Sequence, residues 1–154
     1  MNTSIRPPTR TLYDRDFQLW LEETLAQLHR GEFDAVDWDN LLEELEDMGK
    51  SDRRAIESLL TRLLEHLLKL SYWESERINN QRGWKGEIRN FRIQIKRLLK
   101  ESPSLKPYLE SVFEDCYTDA RNIIIDTTGL EESVFPLKSM ATLEEVLDEN
   151  WLRC

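Results

Sequence analysis

Apolar side chains occupy positions 56, 59, 60, 63, 64, 67 and 68, from Ile56 to Leu68. Steps of three and four match the α-helical repeat and fit no alternating strand. Seven members make the stripe wide enough to face neighbours on two sides. A helix of this kind must be covered, so the rest of the chain is expected to pack around it.

The flanking sequence has the same periodicity. Phe17, Trp20, Leu21, Leu25 and Leu28 form one stripe, which Gly31 should stop. Asp37 is placed to cap a short helix carrying Leu41, Leu42, Leu45 and Met48, with Gly49 closing it. Ser51 then caps the long central helix, expected near residues 52–78. Gly83 and Gly86 around Trp84 predict a break across 79–86, after which Trp84, Ile88, Phe91, Ile95 and Leu98 repeat helically. Ser104 is the better cap of the next helix, because Pro107 then falls in the first turn. The stripe from Leu105 through Leu109, Val112, Phe113, Cys116, Tyr117, Ala120, Ile123 and Ile124 ends at Thr127-Thr128-Gly129. Beyond Phe135-Pro136, Thr142-Leu143-Glu144-Glu145 reads as a capping box. Leucine outnumbers valine plus isoleucine by 24 to 13, which favours helix over sheet. The expected fold is all-α: a single bundle of about six helices over residues 12–154, preceded by a flexible tail at 1–11.

Bulk composition removes several function classes. Two cysteines, Cys116 and Cys154, are too few for a disulfide framework and are expected to be reduced. The N-terminus has no apolar h-region, and Arg62, Glu65, His66 and Lys69 interrupt the most apolar stretch, so neither a signal peptide nor a membrane span is expected. A cytoplasmic location follows from that reading. The net charge of −9 is arranged in blocks. Residues 12–50 hold 12 acids and 3 bases, 51–107 hold 7 acids and 13 bases, and 108–154 hold 11 acids and 3 bases. Lys85, Arg89, Arg92 and Lys96 make a stripe rotated about 100° from the apolar face of their helix. Such a stripe is expected to pair with acidic neighbours of its own chain, and no nucleic-acid affinity is expected.

No cofactor or metal is expected. Glu-x-x-His is absent, since Ala26 and Leu63 precede His29 and His66 by three. Zinc spacings and the phosphate-binding loop are absent too. The acid cluster Glu43, Glu44 and Glu46 reads as a solvated face. His66 sits on the edge of the central stripe, where a bond to a backbone carbonyl or a carboxylate is expected ahead of general-base chemistry. Arg92 and Arg121 fall at core-edge spacings, and a buried guanidinium calls for a carboxylate. Glu43, Glu44 and Asp119 are the first candidates. Should these polar positions converge, His66, Lys69, Arg92, Tyr117 and Arg121 with Glu43 and Glu44 would form the candidate site. No catalytic residue is identifiable.

An ordered set of motifs points to a family. Asp16-Phe17 with Trp20, Gly31-Glu32-Phe33, Glu43-Glu44-Leu45-Glu46 with Gly49, and His66-Leu67-Leu68-Lys69 come first. Trp84 with Glu87-Ile88 and Phe91-Arg92, Ser102-Pro103-Ser104-Leu105, Ala120-Arg121 and Phe135-Pro136 follow. Over roughly residues 12 to 152 the chain resembles the bacterial, mainly cyanobacterial, domain-of-unknown-function family 29. The resemblance implies a helical domain in a bacterial cytoplasm and carries no reaction. The leading expectation is a non-enzymatic module for protein interaction or self-association; the alternative is a small-anion binder or enzyme around His66, Arg92 and Arg121. Trp38 and Trp151 lie outside the clearest stripes, so one or both are expected in an exposed patch.

Overall fold

The computed structural model describes residues 11–152. The tail expected at residues 1–11 therefore falls almost wholly outside the described residues, as does Cys154. Six α-helices and no strand occur among the described residues: α1 (Leu12–Arg15), α2 (Phe17–His29), α3 (Trp38–Tyr72), α4 (Glu74–Glu101), α5 (Leu105–Thr128) and α6 (Leu143–Leu147). Single 3-10 turns lie at Phe33–Ala35 and Glu132–Val134. The all-α expectation holds. By its internal contacts the chain divides into residues 1–49 and residues 50–154.

In the first unit, the Asp16 carboxylate caps α2 by accepting from the Leu19 N–H at 3.0 Å. Gly31, at φ 71°, stops the helix as its spacing required. The Gly31 N–H donates to Leu28 and the Glu32 N–H to Gln27, closing the orphan carbonyls in a Schellman arrangement. Asp37 caps α3 as expected, accepting from the Asn40 N–H and side-chain amide. Little else is buried. Trp20, Thr24 and Val36 are the buried residues of this segment. Tyr13, Phe17 and Trp20 form an aromatic cluster with centroids 4.9–5.8 Å apart. Phe17, Leu21 and Leu25, expected on a core stripe, stay exposed.

Helix α3 corrects two expectations. It runs without interruption through Gly49 and Ser51, so the short helix and the central helix are one element of 35 residues. A glycine in an exposed helix interior costs only about 1 kcal/mol, less than two new helix ends would. The same reasoning removes the break expected across 79–86. Gly83 and Gly86 lie inside α4 with no positive φ, and a Cβ at either would meet open space. Burial of Trp84, Ile88, Phe91 and Ile95, about 1.5–3 kcal/mol each, outweighs the two glycines. The chain turns earlier, at Trp73 (φ −90°, ψ 67°). There the Trp73 indole stacks on Trp84 at 5.8 Å, and Arg77 Nη2 donates to the Ser71 carbonyl at 2.7 Å.

The second unit holds the main core. Ile56, Leu60, Leu63, Leu64, Leu67 and Leu68 of α3 pack with Ile88 and Ile95 of α4 and with Leu109, Cys116, Ala120 and Ile124 of α5. Ile123, expected on that stripe, is 43% exposed instead. Ser104 precedes α5 without a side-chain cap bond, while Gly129 at φ 68° ends the helix as expected. Phe135, Leu143 and Val146 close the core from the C-terminal segment, and Thr142 with Glu145 makes the full capping box on α6.

Candidate functional site

The C-terminal segment between α5 and residue 152 has little regular structure, so its carbonyls need donors from elsewhere. Three side chains of α4 and α5 supply them. Arg92, 3% exposed, donates from Nε to the Val146 carbonyl at 2.8 Å and from Nη2 to the Trp151 carbonyl. Arg121 donates to the carbonyls of Phe135 and Glu132 at 3.2 and 2.9 Å. The Tyr117 hydroxyl donates to the Pro136 carbonyl at 2.6 Å. Main-chain carbonyls of Val146 and Trp151 thus accept from the guanidinium of Arg92. An irregular segment laid over a core offers such acceptors already dehydrated, and charge-assisted bonds to them are among the stronger ones.

The remaining members of the predicted cluster have different neighbours. His66 bonds the Arg62 carbonyl through Nδ1 at 2.8 Å, and its Nε2 lies 3.1 Å from the Glu87 carboxylate. Both types of partner foreseen for this histidine are present. Its ring also packs edge-on against Phe91 at 5.3 Å. Lys69 lies half-buried one turn further along α3. Glu43 and Glu44 belong to the other unit, where Glu43 is exposed and Glu44 accepts the hydroxyl of Tyr13. That bond, with burial and the charges of Glu43, Glu44 and Asp47, pushes the Tyr13 hydroxyl up to about 12.

The basic stripe of α4 departs from expectation. Lys85 and Arg89 are exposed, Lys96 reaches Glu149 only at 3.9 Å, and Arg92 forms the floor between them. Together they line a groove of about 360 Å³ whose apolar walls include Ile93 and Leu152. The four cations sit at steps of four, three and four, which places them along one helix face. Among the described residues, the internal pairing of this stripe is therefore confined to Arg92 and a loose Lys96–Glu149 contact. The reason is local. Arg92 faces the covered side and finds carbonyls, whereas Lys85 and Arg89 point where no acid of this unit is bonded to them among the described residues.

One contact had no sequence signal. Tyr108 donates to Glu57 at 2.6 Å beneath the guanidinium of Arg53, 5.4 Å from the ring centroid, joining α5 to α3. Burial also pushes the Cys116 thiol up, which makes it a poor nucleophile. The Tyr108–Glu57 pair belongs to no local motif, because its members lie 51 positions apart, whereas the burial of Cys116 follows from its place on the α5 stripe. No group of three or more His, Cys, Asp or Glu side chains that could hold a metal occurs among the described residues. No helix among them is long and apolar enough to cross a membrane.

Trp38 is exposed, as expected of at least one of the two outlying tryptophans, while Trp151 is partly buried against the core. Trp38 at 44%, Leu42 at 55%, Leu45 at 56% and Met48 at 63% exposure follow one another along α3. Phe17, Leu21 and Leu25 add an exposed apolar stripe on α2.

No curated protein and no solved structure matches the chain. A family model does, the one described as Domain of unknown function DUF29, over residues 12–152. The chain belongs to that family.

Proposed function

We propose that this member of the family is a non-enzymatic helical module that acts by association with protein, including copies of itself. The observation that carries the reading is the apolar face of Trp38, Leu42, Leu45 and Met48, which no residue of the described chain covers to burial. Side chains so exposed in one run, and rimmed by Glu43, Glu46 and Asp47, have the make-up of a partner surface. Leucine and tryptophan in such numbers are costly to leave in water, and a partner removes that cost.

The rival reading is a small-anion binder or enzyme centred on His66, Arg92 and Arg121. It is weakened because these side chains engage separate partners: a carboxylate on α4, carbonyls near α6 and carbonyls of the 132–135 turn. The proposal also takes residues 12–154 as one working domain in the cytoplasm, without a cofactor or a nucleic-acid role. The family match across both units supports the single-domain part.

Sedimentation at several protein concentrations, paired with capture from native lysate, tests the reading. Association that Leu42→Ser with Leu45→Ser abolishes is the expected result. A strict monomer that captures nothing overturns it, as does a thermal shift with a small anion that Arg92 and Arg121 variants remove.

A further inference from the structure

We propose that the basic groove of α4 is the seat for the acidic N-terminal part of α3 from a second copy of this chain. The inference rests on the association reading above and names the partner surface.

Charge and spacing both favour this occupant. The groove presents exposed Lys85, Arg89 and Lys96 along one helix face, over buried Arg92 and with Ile93 and Leu152 beside them. Exposed acids Asp39, Glu43, Glu46 and Asp47 occupy one face of α3 at steps of four, three and one, beside exposed Leu42 and Leu45. On helices, both sets project as a charged stripe with an apolar edge. The eight-residue rise from Asp39 to Asp47, at about 1.5 Å per residue, gives the acidic stripe a length of about 12 Å, inside the roughly 16 Å spanned from Lys85 to Lys96.

The acidic block 12–50 and the basic block 51–107 carry opposite charge, so two copies attract through unlike blocks. If each copy seats its acidic helix on the other, the contact forms twice and closes as a two-fold dimer. Among the described residues, Glu149 is the one acid lining the groove. At 3.9 Å from Lys96 and 70% exposed, its side chain is displaced easily by an incoming carboxylate. Nucleic acid is the other polyanion that could enter, and titration with random duplex DNA tells it apart from a second copy.

The test uses the full chain and its charge-reversal variants, all at exposed positions. Sedimentation equilibrium of the wild type is expected to show a dimer that weakens between about 0.05 M and about 0.5 M salt, as exposed charges become screened. Lys85→Glu with Arg89→Glu should weaken it by about tenfold or more, and Glu43→Lys with Glu46→Lys should do the same. Combining all four in one chain should restore the dimer to within about threefold, with circular dichroism confirming an unchanged helix content.

A monomeric wild type, reversals without effect, or a combined variant that stays dissociated each overturn the proposal. Sub-micromolar, salt-sensitive binding of random duplex DNA that Lys85→Glu with Arg89→Glu abolishes would reassign the groove and overturn it equally. If Leu42→Ser with Leu45→Ser abolishes association while both charge reversals do not, the association reading stands and this inference alone falls.

Discussion

Arg92 donates from Nε to the main-chain carbonyl of Val146 at 2.8 Å, across 54 positions of chain. The bond ties the middle of α4 to the last turn of α6. With the Trp151 carbonyl as a second acceptor, one buried guanidinium fastens both ends of the segment 146–151. Arg121 and Tyr117 do the same for 132–136. The positive charge near the core thus serves to satisfy an irregular backbone.

Arg92→Met should therefore cost about 2–4 kcal/mol, since it withdraws charged donors from two carbonyls. Amide exchange should quicken in residues 142–152 well before the α3 core. Arg92→Lys should rescue little, because one ammonium cannot reproduce the planar fork. Unchanged exchange in that segment would show that apolar packing of Val146 and Leu143 holds it unaided.

Core and surface leucines of α3 should separate sharply. Leu63 and Leu67 are buried, and replacing either with alanine should destabilise by about 2–5 kcal/mol. Leu42→Ala and Leu45→Ala on the exposed stretch should stay within about 0.5 kcal/mol in the monomer. Chemical denaturation measures both. A loss below about 1 kcal/mol at Leu63 and Leu67 together would mean the core lies elsewhere.

Burial pushes the Glu65 carboxyl up, against the opposing charges of His66, Lys69 and Arg62. A raised folded-state value means its contribution is present below the unfolded carboxylate range and is lost as pH rises through the folded value. Glu65→Gln should consequently melt higher than wild type near neutral pH, and the gap should close on acidification. A lower Tm for the variant at neutral pH contradicts this sign.

Two tyrosines should ionise late. Tyr13 is pushed up to about 12, chiefly by its hydrogen bond to Glu44, and the bond to Glu57 raises Tyr108. Both shifts are upward, so their contribution to folding is intact below the ordinary phenol value near 10 and is lost above it. Ultraviolet titration should show the latest-ionising hydroxyl disappear in Tyr13→Phe. An unchanged titration curve would place the Tyr13–Glu44 bond outside the solution structure.

Local sequence determined most of the helical content, because apolar spacing and capping chemistry act within a few residues. The stripe from Ile56 to Leu68, the cap at Asp37, the stops at Gly31 and Gly129 and the box at Thr142 were all legible for that reason. Tertiary packing decided what local signals could not. Gly49, Gly83 and Gly86 resemble helix stops in sequence, yet the helices continue through them, since a modest glycine penalty yields to burial gained along the same helix. Arg92 was legible as buried, but not its acceptors, because spacing locates a side chain on its own helix and says nothing of which distant carbonyls arrive beside it. The stripe of α2 shows the converse. Helical spacing made Phe17, Leu21 and Leu25 look like core, and only the folded chain reveals that nothing in the described residues buries them. Periodicity records which face is apolar, whereas the partner of that face is a property of the assembled structure.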